Sequence, residues 1–412
     1  MFAWPAELCC LTRVSTRRYL KKTFTSQTKN GSIPAVHQRE LISFRFSARH
    51  SQPVSLNPSQ VPFVAEVKSK LLGGAYRLER SSCPCGEASG VVISEVDRYG
   101  LPLDFVLCKT CGTVRIDPYL DKLSLEDFYT RSYQQMYARA TDVDSYFLRQ
   151  RSYGKKVLAV AKHWLKPGSW IYEVGCGAGG ALDAFQRRGY QVAGCDYSAE
   201  LIAAGRERGI RNIYHGSLKD IQPELNGAKA DLIYLHHVFE HVNHPRGLLA
   251  ECRNHLAPGG KIIIIVPDVS RIDSFACPAG DLLQFLHVAH KYNFSFEGLR
   301  RLGGQEAFEV RRLTPDPKIK TPCSHMPELW VELVNDDVAA GPKRVSVIPA
   351  AVSHGNKMLQ YLKRTEKLYS LGLCRGQLLE RLSAGKDSFE KNLIRLSRVT
   401  PAKVIRKLKG IS

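Results

Sequence analysis

The chain has 412 residues, 44% of them hydrophobic and 24% charged, which is enough for two or three domains with a sizeable core. It contains no run of eighteen apolar residues, which argues against a transmembrane helix. Of the formal net charge of +20, most lies at the ends: residues 1–60 carry nine Lys/Arg against two acidic residues, and residues 356–412 carry fourteen against four. The nearly neutral body disfavours a nucleic-acid enzyme but leaves that class open.

Residues 1–75 are predicted to be a disordered basic N-terminal tail. Residues 1–60 are poor in acidic residues and rich in Ser, Thr and Arg, which also fits a mitochondrial-type presequence. Leu11, Val14 and Leu20 give only a faint amphipathic face, which favours the tail. We therefore expect a cytoplasmic protein, with the mitochondrial matrix as the alternative.

Residues 76–124 contain two cysteine pairs, Cys83/Cys85 and Cys108/Cys111, separated by two β-rich segments. Four thiolates suit tetrahedral Zn²⁺, and an ion with four sulfur ligands has a structural role. The pattern predicts a zinc-ribbon-like β module. The alternative is a set of reduced cysteines in turns, which the C-x-C spacing of the first pair favours. The remaining cysteines are scattered, which indicates a reducing compartment.

Residues 125–165 are predicted to be a helical linker rich in aromatic residues. The aromatic side chains are Phe128, Tyr129, Tyr133, Tyr137, Tyr146 and Phe147. Two interpretations remain open: a helix face that packs on the next domain, or a lid whose tyrosines cover a ligand.

The chain is organised around residues 171–198, IYEVGCGAGGALDAFQRRGYQVAGCDYS. An apolar strand breaks into Gly175, Gly177 and Gly179, a helix follows, and a second strand ends at Asp196. Glycines let the backbone approach a ligand, a helix N-terminus offers free N–H groups, and an acid at the second strand can accept ribose hydroxyls. This order predicts a nucleotide-type cofactor. The alternative role for Asp196 is a helix N-cap.

Strands and helices keep alternating after residue 198. Helices are predicted at 199–207 and 245–255, and strands at 211–215, 231–235 and 261–266. Polar clusters follow the strands, at Ser217, at His236, His237, Glu240 and His241, and at Asp268. Such alternation predicts a parallel sheet wound on both faces, with the ligand at the carboxyl ends of its strands.

The sheet is predicted to close with strands at 308–312 and 329–334. Residues 341–412 are expected to form a basic helical C-terminal extension. It could pack on the core, contact a partner or touch an acidic surface, and the sequence does not choose among these.

Several motifs together resemble a known family. Glu173 to Gly179 has the spacing E-x-G-x-G-x-G of motif I in class I S-adenosylmethionine-dependent methyltransferases. With CPCG, LCKTCGTVRIDPY, FEHVNHPRGLL, LAPGGKIIIIVPD and AHKYNFS, the chain resembles the zinc-ribbon-bearing members of that class, including sugar C-methyltransferases. The resemblance covers about residues 80–335. It departs at the C-x-C pair, at Ser217, where many members carry an acid, and in a C-terminal segment shorter than that of the sugar enzymes.

The resemblance implies an α/β fold: a doubly wound, seven-stranded Rossmann-like methyltransferase domain at residues 166–340, preceded by the ribbon and followed by the helical extension. It implies S-adenosyl-L-methionine as cofactor and structural Zn²⁺ at Cys83, Cys85, Cys108 and Cys111. Glu173 would lie near the ammonium of the cofactor and Asp196 at its ribose. The implied cofactor-binding residues are Glu173, Gly175, Cys176, Gly177, Gly179, Asp196, Tyr197, Ser217 and His236.

An oxygen or carbon acceptor needs a general base, and histidine suits this role. We expect His290 to act as the base, with His241 or His237 next. His287 and His290 would share one face of a presumed helix with no third ligand for a metal. The expected acceptor is a small molecule, hydroxylated or sugar-like, that is C- or O-methylated. The alternative is an RNA- or protein-directed methyltransferase, or a catalytically silent relative that binds through its basic tails. The oligomeric state stays open.

Overall fold

The computed structural model describes residues 37–51, 53–137, 142–221, 225–275, 279–321, 326–335, 353–375 and 377–378. The strands are β1 Gln38–Arg39, β2 Leu78–Glu79, β3 Val91–Val96, β4 Pro102–Leu107, β5 Val114–Ile116, β6 Tyr119–Leu120, β7 Trp170–Val174, β8 Gln191–Asp196, β9 Ile213–His215, β10 Ala230–His236, β11 Leu256–Pro267, β12 Tyr292–Asn293, β13 Phe308–Arg312 and β14 Glu328–Asn335. The α-helices are α1 Val61–Leu72, α2 Lys122–Phe128, α3 Gln134–Tyr137, α4 Val143–Ala161, α5 Gly180–Gln186, α6 Ala199–Glu207, α7 Pro245–His255, α8 Phe296–Gln305 and α9 His354–Ser370.

A seven-stranded sheet forms the larger layer, in the order β13-β14-β11-β10-β7-β8-β9. Strands β7 to β11 pair in parallel, while β14 runs antiparallel to both β11 and β13. The alternation of strands and helices predicts the parallel part of this sheet, and the seven-stranded order is that of the Rossmann-like methyltransferase fold that the resemblance implies. The reversed pair β13–β14 at one edge confirms the expected end of the sheet.

Both faces of this sheet are buried, because successive side chains of a strand point to opposite faces. Ile263 and Ile265 of β11 belong to a core cluster with side chains of α4 and α5. Ile262 and Ile264 belong to a second cluster with side chains of α7 and α8. The run KIIIIV is therefore apolar throughout because helices cover both of its faces.

The smaller layer is a five-stranded sheet in the order β1-β3-β4-β5-β12. Its last strand, β12, comes from the chain after the parallel strands and pairs antiparallel with β5, with Tyr292 opposite Arg115. The segment between β11 and α8 therefore belongs to both layers. This pairing brings residues just before β12 close to the carboxyl ends of the parallel strands.

Residues 37–75 differ from the predicted disordered tail. Helix α1 and the segment before it bury Ile42, Phe46, Val64 and Val67 in the core of the smaller layer. Arg45 is paired with Glu366 of α9 at 2.5 Å and with Asp281 at 2.6 Å. At least one basic residue of the predicted N-terminal tail, Arg45, is thus ion-paired within the folded structure. The predictions for residues 1–36, 336–352 and 379–412 lie outside the described residues.

The expected helix around His287 and His290 is wrong. A short 3₁₀ helix spans Leu282–Phe285, and the chain then turns, with the amide of His290 donating to the carbonyl oxygen of His287 at 3.0 Å. Hydrophobic burial of Leu286, Val288 and Ala289 fixes this irregular path. Within the described residues, we find no helix long and apolar enough to cross a bilayer.

Candidate functional site

The glycine turn after β7 is held in backbone conformations that favour glycine. Gly175, Gly177 and Gly179 have φ angles of 73°, 52° and 73°. A Cβ atom at Gly175 would lie 2.4 Å from Val238 Cγ2. The close packing of Val238 therefore favours glycine at this position in addition to the left-handed backbone. Helix α5 begins directly after the turn and directs its free N–H groups toward the same edge of the sheet.

Asp196 lies at the end of β8, beside this turn. Its Oδ2 accepts a hydrogen bond from the Gly177 amide at 2.8 Å, and its Oδ1 accepts one from the Ser198 amide at 2.8 Å. Helix α6 is instead capped by Ser198, whose hydroxyl accepts from the Leu201 amide at 3.3 Å. The N-cap interpretation of Asp196 is therefore wrong, and each carboxylate oxygen keeps a lone pair for a ligand hydroxyl.

A cleft of about 400 Å³ opens beside the turn. Gly175, Tyr197 and Ser217 line it, together with residues of the segment from Val242 to Glu251. Tyr197 is 77% exposed. The Ser217 amide and hydroxyl both donate to Asp220 Oδ2, at 2.7 Å and 3.0 Å, so an acid lies three residues beyond the position where the sequence lacks one.

Glu173 is a buried carboxylate at the end of β7. Burial raises its pKa well above the usual range, and its Oε2 has no hydrogen-bond partner. An ammonium group of a ligand would compensate such a carboxylate, so the residues present fit the amino-acid end of S-adenosylmethionine. Cys176, by contrast, packs in the core beneath the turn, so only its backbone can face a ligand.

Helix α4 covers the turn through two residues that the sequence motif does not identify. Gln150 Nε2 donates to the Cys176 carbonyl oxygen at 3.0 Å and to the Tyr146 hydroxyl oxygen at 3.1 Å. The aromatic enrichment of this segment was the available signal for Tyr146. No sequence signal indicates Gln150.

Next to the turn, at the end of β10, lies a cluster of histidines and carboxylates, here called the histidine cluster. It comprises His236, His237, Glu240, His241, His287, His290 and Glu328. His237 has a φ of 53°, a strained conformation for a non-glycine residue that is often found at functional sites. The cluster brings together the three predicted base candidates, and also His236, which the sequence assigned to the cofactor.

Glu328 of β14 is the compensated carboxylate of the cluster. It accepts a hydrogen bond from Trp330 Nε1 at 3.0 Å, lies 3.1 Å from His237 Nε2 and is 3.7 Å from Lys156 Nζ. The imidazoles of His236 and His237 hold the pKa of Glu328 far below the usual range despite burial. The contact with Glu328 in turn raises the pKa of His237, against the opposing effect of its burial. Sequence reasoning missed Glu328 because β14 reverses direction and brings its first residue to this edge.

Glu240 is buried but not compensated. Its side chain is 0% exposed, neither carboxylate oxygen has a hydrogen-bond partner, and burial raises its pKa to about 7. Its nearest ring nitrogens are His237 Nδ1 at 3.4 Å and His290 Nε2 at 3.9 Å from Oε1. Burial lowers the pKa of His241 to about 4 and that of His290 well below its usual range, so both imidazoles are neutral near pH 7.

Three tyrosines lie against the histidine cluster. Tyr129, Tyr133 and Tyr137 are spaced by four residues along a continuous helical segment, so they share one face. The Tyr129 hydroxyl is 3.2 Å from His241 Nδ1, and the Tyr137 ring centroid is 4.9 Å from that of His287. The tyrosines therefore pack on the core of the smaller layer and also line one side of the histidine cluster. Their role as a lid over a ligand stays a prediction.

The four cysteines of the smaller layer converge. Sγ–Sγ distances are 3.5 Å for Cys83–Cys111, 3.4 Å for Cys83–Cys85 and 3.7 Å for Cys85–Cys108. Sulfurs about 2.3 Å from a tetrahedral Zn²⁺ are about 3.8 Å apart, so this set fits the ion. All four are free thiols. The C-x-C spacing does not prevent the four sulfurs from meeting.

Comparisons with known proteins agree with the fold. Residues 172–264 match the family model described as "Methyltransferase domain". The chain is 29% identical over 99 residues to the ubiquinone biosynthesis O-methyltransferase of Sodalis glossinidius (strain morsitans), covering 23% of this chain and 40% of that protein. It is 31% identical over 110 residues to the protein of that name from Xanthomonas campestris pv. campestris (strain B100), covering 26% of this chain and 46% of the relative. The chain thus spans less than half the length of these curated relatives.

Solved structures resemble the chain more distantly. The plantazolicin methyltransferase BpumL in complex with SAH aligns with a TM-score of 0.38 at 15% identity, covering 51% of this chain and 94% of that one. The magnesium protoporphyrin IX methyltransferase ChlM from Synechocystis PCC 6803 with bound SAH aligns with a TM-score of 0.36 at 14% identity, covering 52% and 100%.

Proposed function

We propose that this chain, which carries a class I S-adenosylmethionine-dependent methyltransferase domain, transfers a methyl group to a small hydroxylated or sugar-like acceptor. One observation carries the proposal. The glycine turn with Asp196 and the histidine cluster lie at the carboxyl ends of neighbouring strands, β7, β8 and β10, so a donor and an acceptor bound there would meet.

The donor would bind along the turn. The amides of the turn and of the α5 N-terminus would face its carboxylate, Glu173 its ammonium and Asp196 its ribose hydroxyls. Adenine would occupy the cleft between Tyr197 and Ser217. The bound cofactor supplies an electrophilic methyl group on a sulfonium, and the chain's own residues would orient it and exclude water.

The acceptor would lie against the histidine cluster. Transfer to a hydroxyl requires loss of its proton, and a neutral buried imidazole accepts a proton more readily than a charged one. Burial keeps His290 and His241 neutral, so each can accept a proton, but the same lowering of the pKa makes each a weaker base than a free imidazole. The O-methyltransferase names of the curated relatives favour an oxygen acceptor over a carbon acceptor.

The cysteines Cys83, Cys85, Cys108 and Cys111 would hold a structural Zn²⁺. Ser295 Oγ donates to the Cys111 carbonyl oxygen at 2.6 Å, and Ser295 caps α8 of the larger layer. The metal would therefore stiffen a turn on which the N-terminus of α8 rests. It would take no part in methyl transfer.

Two measurements test the proposal. Calorimetry should give S-adenosylmethionine binding to the purified chain, and labelled methyl groups should enter a metabolite extract that contains hydroxylated small molecules. His290→Ala should lower that transfer while retaining cofactor binding. His163→Ala, at an exposed position, should change neither the transfer nor cofactor binding. Absence of cofactor binding, or unchanged turnover of the true acceptor by His290→Ala, would contradict the respective part of the proposal. Transfer into RNA or protein alone would favour the macromolecular alternative.

A further inference from the structure

The strongest unexplained feature is the carboxylate of Glu240. Burial of an ionised carboxylate is unfavourable unless the group is paired and hydrogen-bonded. Its nearest ring nitrogens, at 3.4 Å and 3.9 Å, lie beyond normal hydrogen-bond distance. The fold therefore holds a carboxylate among imidazoles without giving it a partner at bonding distance.

Two neutral imidazoles complete a set of potential ligands. One atom each from Glu240, His241 and His290 lies within 4.8 Å of the other two. Ligand atoms about 2.1 Å from a shared ion lie about 3 to 4 Å apart. Side-chain movements of about 1 Å would therefore bring these three atoms to the separations that a shared ion requires. Nδ1 of His290 and Nδ1 of His287 both lack hydrogen-bond partners, so no hydrogen bond at either atom opposes a small rotation of the His290 ring.

The supporting contacts are those expected around a metal ligand. The Tyr129 hydroxyl lies 3.2 Å from His241 Nδ1, and the ring centroid of His287 lies 3.5 Å from that of His290. Such outer contacts fix ring orientation and tautomer. Glu240 and His241 are themselves held on the short 3₁₀ helix Phe239–His241 that follows β10.

The neighbouring set of His236, His237 and Glu328 also has one potential ligand atom per residue within 4.8 Å of the others. Its carboxylate, however, does not lack hydrogen-bond partners. Glu328 is satisfied by Trp330 Nε1 and His237 Nε2, with Lys156 nearby. A cation there would have to displace partners that already compensate the charge. Of the two sets found within the described residues, only that of Glu240 joins a carboxylate without a hydrogen bond to two neutral imidazoles, although His237 lies 3.4 Å from Glu240 Oε1.

We propose that Glu240, His241 and His290 bind a divalent first-row transition cation, separate from the cysteine cluster. Two imidazoles and one carboxylate suit Zn²⁺, Mn²⁺, Fe²⁺ or Co²⁺, whereas Mg²⁺ prefers an all-oxygen set. Three protein ligands leave positions open for an oxygen of another molecule. The sequence alone does not predict this site, because it offers no third ligand for the pair His287/His290.

The cation's role in catalysis rests on the proposed function and replaces one part of it. An imidazole of His290 or His241 that ligates the cation does not accept a proton, so the cation would activate the hydroxyl in place of the base. A hydroxyl oxygen of the acceptor bound to the cation would lose its proton more readily. That proton would pass to solvent, the oxygen would form the new bond to the methyl carbon, and the carbon–sulfur bond would break. Its electron pair would stay on sulfur, leaving S-adenosylhomocysteine.

Metal content tests the site without reference to activity. The full chain, stripped and reloaded with Zn²⁺ or Co²⁺, is analysed by elemental mass spectrometry. We expect two equivalents in the parent protein and one in Glu240→Gln and His290→Gln. Cys108→Ser should lose the other equivalent. With Co²⁺, thiolate charge-transfer absorption should disappear in Cys108→Ser and persist in Glu240→Gln. His255→Gln, at a buried histidine of α7 outside the cluster, is the matched control and should keep both equivalents.

The possible outcomes test the metal site and the proposed methyl transfer independently of each other. Loss of one equivalent in Glu240→Gln, with S-adenosylmethionine binding retained, supports the site. A parent protein that takes up only the cysteine-bound equivalent overturns it, as does a second equivalent that survives in both Glu240→Gln and His290→Gln. A chain that binds the second cation but transfers no methyl group would contradict the proposed function and leave the metal site standing.

Discussion

The amide of Gly177 donates a hydrogen bond of 2.8 Å to Oδ2 of Asp196, which joins the glycine turn after β7 to the end of β8. The two features that define the donor site are therefore braced against each other. A left-handed glycine positions the amide, and the acid that receives it retains lone pairs toward the cleft. The same carboxylate would thus shape the turn and hold the ligand.

Asp196→Ala is expected to weaken S-adenosylmethionine binding by about 10- to 100-fold. Hydrogen bonds to a charged group contribute about 1.5–3 kcal/mol, which corresponds to that range of affinity. Calorimetric titration with S-adenosylmethionine or S-adenosylhomocysteine measures the change. Asp231→Ala is the matched control, because Asp231 Oδ2 also accepts a backbone amide, that of Trp170 at 2.8 Å, at the opposite end of the sheet. Equal affinities in the two variants would contradict the role of Asp196.

Comparison of Gly177→Ala with Gly189→Ala separates the effect of a side chain that contacts helix α4 from the effect of a positive φ. A Cβ at residue 177 would lie 2.5 Å from the Tyr146 hydroxyl oxygen and 2.8 Å from Gln150 Nε2. At Gly189, with a φ of 82°, nothing lies within 4 Å of such a Cβ. Both substitutions should cost about 1 kcal/mol of stability through the positive φ. Only Gly177→Ala should also weaken cofactor binding.

Thermal unfolding and calorimetry on the two glycine variants give the comparison. Similar losses of cofactor affinity in Gly177→Ala and Gly189→Ala would mean that the covering helix α4 does not shape the donor site.

The parts of the fold that depend on local sequence patterns can be predicted from the sequence. Helices α6 and α7 and strand β13 have the predicted bounds, because their apolar periodicity and capping residues are strong. The donor side of the site can be predicted equally well from the sequence, because Glu173 to Asp196 form one continuous motif. Local spacing needs no knowledge of the rest of the fold.

Other parts depend on contacts distant in sequence. Glu328 joins the histidine cluster through the antiparallel pairing of β14 with β11, and His290 joins it through β12 in the smaller sheet. Residues 37–72 carry apolar side chains without a sustained periodicity, so their burial depends on the surface they cover. No pattern within those segments indicates these neighbours.

Cys108→Ser is expected to remove one equivalent of zinc and to lower the unfolding temperature of the smaller layer. A structural zinc contributes its binding free energy to folding, so its loss should destabilise the module by several degrees at least. Cys252→Ser is the matched control, because Cys252 is also fully buried but lies on α7 away from the cluster. Elemental analysis should find zinc unchanged in Cys252→Ser. An equal zinc content in both variants would contradict a metal at the cysteine cluster.

The buried histidines should make the protein less stable in mild acid. Burial, and next the charge of Arg98, holds the pKa of His287 well below the usual value, so this ring stays neutral in the folded chain. In the unfolded chain it takes up a proton below about pH 6.5. The unfolded state then binds more protons, and the free energy of unfolding falls as the pH drops from about 6.5 toward the folded pKa, by up to about 1.4 kcal/mol per pH unit for one group.

His287→Gln should therefore flatten the pH dependence of unfolding by about one proton between pH 6 and pH 5, a window that follows from the unfolded pKa of about 6.5. Urea unfolding of the parent protein and the variant across this range gives the two slopes. His163→Gln, at an exposed position, serves as the control and should keep the parent slope. The prediction fails where His287→Gln and His163→Gln show the same slope as the parent, because the His287 ring would then take up its proton equally in both states.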